Sequence, residues 1–412
     1  MSFPIYVIYS AGLFLWTISS IHYDSPLPAA QYGLGQLLIL AALTIMFMAD
    51  KGKKAIPGLV IAAVFCSLGL SIAYRFAGEK ASIQLEDVYT GDLISMIVVF
   101  FIVYLLIRFT NIYRIKLINL LAGGGLLLAV YGARLTSALT GGSYLYFGGI
   151  MIFGWALLAF PFTAAFLISR REDSYVRGNV RSLPWNLMLM LLYVIILFAG
   201  CVLCNEFGLI LIIGLTATVL FFIRCRNLLT KCFYTISCAG AAVLSAMKVP
   251  HVHDRMQIWL HPAAAAGSED LAGKAESVLY LFRHLGQAGL WGRGIGSLPV
   301  SYYPTLNTDH VMVTLINDYS LILAGLVLAL SLFFIRWLLT LPDGLCGYDR
   351  YLNLTTALLF GFLILVHTAS NLGSFLTAGI GFPWISEGSS VNIMLTVLLA
   401  VHCGLLGKKA IS

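Results

Sequence analysis

The chain has 412 residues, of which 60% are hydrophobic and 10% are charged, and its mean hydropathy is +0.92. An ordinary soluble domain carries roughly 25% charged residues, so this composition excludes a soluble globular protein. The formal net charge of +7 is concentrated in short loops between apolar runs, and we predict no nucleic-acid partner from it. The composition indicates an all-α, polytopic integral membrane protein.

Apolar runs of about twenty residues follow one another along the chain, and each is long enough to cross a hydrocarbon layer of roughly 30 Å as a helix. We predict about twelve transmembrane helices, which lie near residues 3–20, 32–49, 55–73, 93–108, 115–131, 145–169, 186–204, 206–223, 229–247, 311–338, 352–372 and 390–406. The first run is not followed by a small-residue cleavage site, so we interpret it as a retained helix and not as a signal peptide.

Basic residues occur in every second connection between these runs, and short basic loops stay on the cytoplasmic side of a membrane. Lys53 and Lys54 follow the second run, for example, and Arg170 and Arg171 follow the sixth. This pattern predicts that both termini are cytoplasmic. It also predicts that the longest connection, residues 248–310, lies outside.

Two segments interrupt the pattern of short loops, and we expect chemistry there, because irregular backbone near a bilayer is either covered or lines a wet cavity. Residues 248–310 hold five of the eight histidines. Residues 370–390 include Gly379 and Pro383 among apolar residues, which indicates a broken or re-entrant segment. The chain shows no repeat or linker, and we treat residues 1–412 as a single transmembrane domain.

The long connection contains a glycine-rich turn, Gly289–Gly296, after a stretch, residues 274–285, that is predicted to be a short helix. Glycines allow close backbone approach, and their free N–H groups can hold an anion. A plain loop that needs positive φ angles is the alternative. Arg293 and Arg255, with Lys274 as a third cation, favour a phosphate or diphosphate, because guanidinium groups match its oxygens.

Carboxylates at the edge of apolar runs are the second set of candidates. Asp309 directly precedes the predicted span 311–338, where it is either a catalytic group or a helix N-cap, and Thr308 is suited to the same capping role. Asp318 lies about two turns further in, and an acid inside a span is a functional candidate. Its alternative is a hydrogen bond to a neighbouring helix. Glu206 is either a cap or a cavity-lining carboxylate.

A metal site has weak support in this sequence. His251-Val-His253-Asp254 is similar to part of one, but two histidines in a loop are a weak signal, and an interfacial polar anchor explains them as well. We therefore predict no protein-bound metal. A divalent cation brought in with a diphosphate remains compatible with the sequence.

Four motifs in sequence order resemble the SEDS (shape, elongation, division and sporulation) family, which includes RodA, FtsW and SpoVE. They are Asp254-Arg255-x-x-x-Trp259-Leu-x-Pro262, Gly289-Leu-Trp-Gly-x-Gly-x-Gly296, Tyr303-x-x-x-x-Thr308-Asp309 and Gly379-Ile-x-x-Pro383-x-Ile-Ser386-x-Gly388-Ser-Ser390. The resemblance implies a fold akin to the GT-C class, with a core of about ten helices. We assign residues 91–412 to that core and residues 1–90 to additional N-terminal helices.

The resemblance also implies an activity. Members of this family polymerise lipid II, a polyprenyl-diphosphate-linked disaccharide, usually with a class B penicillin-binding protein as partner. By resemblance Asp309 is the catalytic acid. The implied substrate-binding residues are Arg255, Arg293, Lys274, Thr308, Asp318, Ser386 and Ser389.

The expected reaction is inverting, since a sugar hydroxyl attacks the anomeric carbon from the face opposite the departing diphosphate. Desolvation should raise the pKa of Asp309, and a nearby Arg or Lys should restrain that rise. The expected location is the bacterial cytoplasmic membrane, with the catalytic loop outside.

The sequence also departs from the family pattern. Pro304-Thr305 stands where a Pro-Glu is usual, Ile316-Asn317-Asp318 stands where Gly-Glu-Glu is usual, and residues 144–158 contain no recognisable Gln-Pro-Ser-Glu-x-x-x-Lys segment. Three alternatives therefore stay open: another lipid-linked glycan ligase or polymerase, a transporter or lipid II flippase, and a non-catalytic scaffold derived from the family.

Overall fold

Helices make up nearly all of the regular structure in the computed structural model, which describes residues 27–49, 54–79, 90–140, 146–147, 150–169, 185–203, 208–298, 305–341 and 346–408. The predicted all-α class is confirmed. The first apolar run, residues 3–20, and Glu206 lie outside the described residues. Within them the structure adds one small feature, an antiparallel pair of two-residue strands, β1 (Tyr146–Phe147) and β2 (Ile150–Met151).

The other eleven predicted spans each correspond to a helix. These helices are α1 (Leu27–Ala49), α2 (Ile56–Glu79), α3 (Thr90–Phe109), α4 (Lys116–Thr140), α5 (Ile152–Ser169), α6 (Trp185–Leu203), α7 (Gly208–Arg224) and α8 (Leu228–Lys248). After the long connection follow α13 (Leu321–Leu338), α14 (Gly347–Asn371) and α15 (Ser389–Leu406). Seven of them are long and apolar enough to cross a membrane, and α5, α7, α8 and α15 are shorter apolar helices.

The helices pack around α14 and α15. α15 lies against α3 and α5, and α14 lies against α5 and α7. Glycine allows a close approach of α15 to α3, since a Cβ at Gly404 of α15 would lie 2.8 Å from the side chain of Ile107 on α3. Small residues at such crossings let helix backbones approach closely in membrane proteins.

A buried chain of hydrogen bonds joins α1 to α2. The hydroxyls of Tyr32 and Ser71 are 2.8 Å apart, Gln36 Nε2 donates to Tyr32 Oη at 3.1 Å, and Ser67 Oγ donates to Gln36 Oε1 at 2.9 Å. Buried polar groups are costly unless they are hydrogen-bonded, so these four side chains specify how the two helices pair.

The long connection folds into three helices, α9 (Pro250–Leu260), α10 (Pro262–Ala266) and α11 (Ala272–Gln287). α9 and α10 each begin with a proline, which suits the first helical position because its missing N–H has no intrahelical role there. Trp259 Nε1 donates to Gly373 O at 2.9 Å, which seats α9 on the C-terminal end of α14. We call this end of the bundle the loop end.

The predicted span 311–338 is not one helix. A short helix, α12 (Val311–Thr314), leads into a π-helical turn, Leu315–Tyr319, and α13 begins afterwards at Leu321. Ser320 separates the two, and its hydroxyl accepts from the N–H of Leu323 at 2.9 Å as an N-cap. The sequence did not predict this break within the span, because apolar composition does not reveal a polar turn such as Asn317-Asp318.

The segment between α14 and α15, residues 372–388, is irregular, as the glycines and Pro383 predicted. Trp384 has a positive φ of 58° and is almost fully buried. Its ring lies 5.6 Å from that of Phe334 on α13 and 5.2 Å from that of Phe360 on α14. The segment therefore enters the interior of the bundle.

Candidate active site

The turn that carries Thr308 and Asp309, residues 305–310, is held by its backbone carbonyls. Four successive carbonyl oxygens each accept a hydrogen bond from outside the turn. Leu306 O accepts from Thr314 Oγ1 (2.9 Å), Asn307 O from Glu387 N (2.8 Å), Thr308 O from Ser386 Oγ (2.6 Å) and Asp309 O from Asn371 Nδ2 (2.8 Å). The donors come from α12, from the irregular segment and from the end of α14.

This arrangement fixes the backbone of Asp309 from two sides. Asn371 is 2% exposed and also donates to His367 O at 3.0 Å, so its amide is held in place. Ser386 is buried too, and its hydroxyl accepts from Phe382 N at 2.7 Å. A typical hydrogen bond of this kind contributes about 1 kcal/mol net, and together these bonds give the turn one defined position.

The N-cap interpretation of Asp309 and Thr308 was wrong. The N-cap residue of α12 is His310, and no side-chain hydrogen bond caps this helix. The Thr308 hydroxyl instead donates to Thr305 O at 3.3 Å. The Asp309 carboxylate is therefore not used to satisfy the first amides of α12.

Asp309 shares its surroundings with Arg255 of α9. A Cβ placed on Gly379 would lie 3.8 Å from Asp309 Oδ2 and 3.9 Å from Arg255 Nη2, so both groups flank this one glycine. Gly379 has a φ of +62°, which glycine adopts without strain. Arg255 Nη1 also donates to Thr377 O at 2.9 Å. The structure thus brings together an acid and a cation that are far apart in the sequence.

The electrostatics of the pair follow from burial. Desolvation raises the pKa of the Asp309 carboxyl above its ordinary value, and the Arg255 cation opposes that rise. The neighbouring His310 is also buried, which lowers its pKa to about 4. A partly buried acid beside a guanidinium is an arrangement suited to accepting a proton.

The other two predicted cations lie elsewhere in the loop. Lys274 of α11 is 64% exposed, and its Nζ is 3.7 Å from Asp254 Oδ2. Arg293 is exposed; its Nη1 donates to Gln287 Oε1 at 3.1 Å and lies at the same distance from His284 Nδ1. Their contacts are with α9 and α11, and their predicted role in diphosphate binding stays a prediction.

The backbone of the glycine-rich turn has the positive φ angles that the plain-loop interpretation requires. Gly289, Gly292, Gly294 and Gly296 all have positive φ angles. The anion-binding interpretation of these glycines stays a prediction beside that conformational role.

Two further predicted residues have structural partners. Asp318 is fully buried and forms an ion pair with Arg75 of α2, with its Oδ2 2.8 Å from Arg75 Nε. Its partner lies on a neighbouring helix, as the alternative interpretation predicted, and this partner carries a charge. Ser386 orients the Thr308 carbonyl as described above. Ser389 is the first residue of α15, and its predicted substrate contact stays a prediction.

Sequence reasoning missed Arg75 and Asn371. Arg75 follows the predicted span 55–73, and a cation next to an apolar run is a recognisable signal. Asn371 lies at the end of the span 352–372, and its partner Asp309 is 62 residues away in the chain. Only the fold shows these pairings.

Within the described ranges, no group of three or more His, Cys, Asp or Glu side chains is arranged to hold a metal ion. His251 and His253 both lie on α9, and His253 Nε2 is 3.5 Å from Gln257 Nε2. Whether a divalent cation enters with a substrate stays a prediction.

Together these features define a multi-pass helical membrane protein with a partly buried carboxylate on a fixed turn beside its long connection. The model of the FtsW/RodA/SpoVE family, described as cell cycle proteins, matches residues 56–406. The chain belongs to this family. The match begins with the first residue of α2, and our division of the chain at residue 90 stays a prediction.

Individual relatives are distant. A probable peptidoglycan glycosyltransferase FtsW of Pseudoalteromonas translucida is 22% identical over 254 residues, which are 60% of each chain. A probable peptidoglycan glycosyltransferase FtsW of Coxiella burnetii is 25% identical over 202 residues, 48% of this chain and 53% of the relative. The present chain thus spans little more than half of the length of these relatives.

A solved chain of a peptidoglycan synthase complex, studied for the coordination of polymerization and crosslinking, has the same fold. It superposes with a TM-score of 0.57 at 17% identity, and the match covers 84% of this chain and 95% of that chain. This similarity confirms the predicted fold.

Proposed function

We propose that this chain is a peptidoglycan glycosyltransferase that polymerises lipid II at the outer face of the bacterial cytoplasmic membrane, in cell-wall synthesis linked to shape, division or sporulation. The observation that carries the proposal is the Asp309 turn, in which four successive carbonyls are hydrogen-bonded and the carboxylate lies beside Arg255. Family membership and the names of the FtsW relatives support the reaction class.

In the proposed reaction, the hydroxyl of one lipid-linked sugar attacks the anomeric carbon of another. Asp309 accepts the hydroxyl proton as the new C–O bond forms, a contribution typically worth about 10²- to 10⁴-fold in rate. The bond between the anomeric carbon and the diphosphate oxygen breaks, and its electron pair leaves with polyprenyl diphosphate. Attack opposite the leaving group inverts the anomeric centre.

Burial suits Asp309 to this role. A carboxylate with an ordinary pKa is a weak base, and the raised pKa of Asp309 brings it closer to working pH. Arg255 limits the rise, which favours the ionised carboxylate, and it is also placed to neutralise charge that grows on the departing diphosphate. A divalent cation bound to the diphosphate would supply the same neutralisation.

The remaining predicted contacts have secondary roles in this proposal. Thr308 and Ser386 hold the backbone of the turn, and we propose that Arg293, Lys274 and Ser389 contact parts of the substrate further from the reacting atoms. The prenyl chains of both substrates would lie among the apolar helices, with both termini of the protein in the cytoplasm and the loop end outside.

We also propose a class B penicillin-binding protein as partner. Its support is the fold shared with a chain of a peptidoglycan synthase complex. A partner that crosslinks the glycan would place the two steps of wall synthesis side by side.

The test is polymerisation of lipid II by the purified chain, with and without a candidate partner. Wild type should form glycan chains, and Asp309→Asn should form them about 10²- to 10⁴-fold more slowly while it remains folded in detergent. Glu276→Gln is the matched control, because it neutralises an exposed acid on α11 of the same connection. Equal activity of Asp309→Asn and wild type would exclude Asp309 as the catalytic group.

A non-catalytic scaffold is the second candidate function, and the unrecognised Gln-Pro-Ser-Glu-x-x-x-Lys segment favours it. The same assay separates the candidates. Absence of product from folded wild-type protein with its partner would favour the scaffold, a lipid II flippase or an enzyme for another lipid-linked glycan.

A further inference from the structure

Arg75, near the C-terminal end of α2, joins three segments of the loop end. Its side chain is 1% exposed, its Nε lies 2.8 Å from Asp318 Oδ2 in the π-helical turn, and that aspartate is 0% exposed. Its Nη2 donates to Leu298 O, just after the glycine-rich turn, at 2.5 Å. One cation therefore connects a membrane helix with two segments that flank the Asp309 turn in the sequence.

The glycine-rich turn and the π-helical turn are also bonded to each other. The Asp318 carboxylate accepts from Gly296 N at 3.4 Å and from Ser297 Oγ at 3.3 Å. The N–H of Arg293 donates to Asn317 O at 2.6 Å. These bonds converge on Asn317 and Asp318, so the position of the π-helical turn depends on the charge pair.

The connection from Asp318 to Asp309 is short and helical. α12 and the π-helical turn run without a break from Val311 to Tyr319, and all nine residues are buried. Asp309 lies two positions before Val311. A displacement of Asp318 is therefore transmitted along a rigid element to the turn that carries the proposed catalytic group.

The other end of this connection is held by α2. Ser71, one helical turn before Arg75, bonds to Tyr32 of α1 as described above. The guanidinium is therefore attached to a backbone that is fixed by a neighbouring helix, and its side chain is buried within the protein.

We propose that Arg75 is a positioning residue for the reaction at Asp309: its ion pair with Asp318 fixes the π-helical turn and, through α12, the Asp309 carboxylate. This proposal rests on the proposed glycosyltransferase function. Arg75 itself contacts no reacting atom.

The physical basis of the test is the asymmetry of buried ion pairs. Removal of one partner leaves an unpaired charge in the interior, whereas replacement of both by neutral groups removes that penalty. Arg75→Gln should therefore disturb the site more than the double variant Arg75→Gln with Asp318→Asn. Arg75→Lys keeps the charge and should retain most of the activity.

The expected kinetic result is a loss in kcat. Misplacement of a catalytic group by about 1 Å can cost roughly 10²-fold in rate, and we expect a loss of this order for Arg75→Gln, with KM within about twofold of wild type. The kcat of the double variant should be at least about tenfold higher than the kcat of Arg75→Gln. A rise in KM with unchanged kcat would overturn the proposal, because it would indicate a substrate contact.

Arg114→Gln is the matched control. Arg114 forms an ion pair with the fully buried Asp349 near the start of α14, and the helix, which ends at Asn371, places this pair about 33 Å from Asn371 at 1.5 Å per residue. Arg114→Gln should lower thermal stability as Arg75→Gln does but leave kcat unchanged. An equal effect of both variants on kcat would reduce Arg75 to a stabilising residue and overturn the proposal.

Hydrogen exchange provides a readout that is independent of activity. The N–H groups of Arg293 and Gly296 donate from the glycine-rich turn to the π-helical turn, and the N–H of Leu321 donates from α13 to the glycine-rich turn. These three amide protons should exchange faster in Arg75→Gln than in Arg114→Gln. Unchanged exchange would overturn the proposal. If wild type makes no glycan but these amides respond, the proposed function fails while the structural role of Arg75 stands.

Discussion

Asp309 combines two properties that oppose each other. Its carboxyl is partly buried, which favours the neutral acid, and its proposed role requires the ionised form. Arg255 resolves part of this conflict, since its cation lowers the pKa that burial raises. At the residue scale, the site therefore depends on a balance between desolvation and one charge.

Replacement of Asp309 by Asn should stabilise the protein at neutral pH. Because the folded-state pKa is raised above the ordinary 3.8, the folded chain binds the proton more tightly than the unfolded chain does. The stability that this carboxyl contributes is therefore largest below pH 3.8 and is lost as pH rises through the raised pKa. Asp309→Asn removes this loss, so its melting temperature at neutral pH should exceed that of wild type.

The polymerisation rate of Asp309→Asn should be about 10²- to 10⁴-fold lower than that of wild type if Asp309 acts as the base. A melting temperature that is raised at acidic pH as much as at neutral pH would contradict the titration argument. Glu276→Gln, at an exposed position, should change neither quantity.

The acidic limb of the pH–rate profile should depend on Arg255. Arg255→Gln removes the cation that lowers the pKa of Asp309, so the pH at which kcat/KM reaches half of its maximum should move upward. Arg255→Lys keeps the charge, and the acidic limb of its pH–rate profile should stay near that of wild type. A shift of equal size in both variants would attribute the effect to geometry and not to charge.

At the scale of elements, the loop end consists of short pieces held by backbone bonds. The π-helical turn is the least predictable of them, since it interrupts an apolar run. The close approach of the glycine-rich turn depends on Gly292, where a Cβ would lie 2.9 Å from Asn317 O. Leu321 N also donates to Leu290 O at 3.1 Å, so the start of α13 is bonded to the same turn.

Gly292→Ala should destabilise the protein more than Gly289→Ala. Both glycines have positive φ, +72° and +64°, and a side chain in that region costs about 1 to 2 kcal/mol. Gly292→Ala adds a steric conflict with the backbone of Asn317, whereas a Cβ at Gly289 has nothing within 4 Å. Thermal unfolding of both variants measures the difference, and equal losses would show that the two turns do not approach this closely in solution.

At the scale of the whole molecule, α1 is part of the bundle although the family match begins at residue 56. Its buried hydrogen bonds to α2 lead toward Arg75 and hence toward the loop end. A helix outside the matched segment thus helps to hold the helix that supports the site.

Gln36→Leu should test this connection. The change removes the amide that links Tyr32 with Ser67, and the loss of a hydrogen bond of this kind costs about 1 kcal/mol. Thr44→Val is the control on the same helix, because its hydroxyl donates only to Leu40 O one turn earlier. Equal melting temperatures for the two variants would exclude a specific role of the Gln36 bonds.

The sequence by itself determined the membrane class, eleven of the described helices and the candidate Asp309, because apolar run length and a charge at the edge of a run are local properties. It did not determine the break at Leu315–Tyr319, since burial of Asn317 and Asp318 depends on what packs against them.

Only the tertiary structure decided which groups meet. Arg75 and Leu298 are 223 residues apart in the chain, and Arg255 and Thr377 are 122 apart. Such pairs form because a buried charge or carbonyl requires a partner, and the partner that satisfies it is chosen by helix packing and not by distance along the chain.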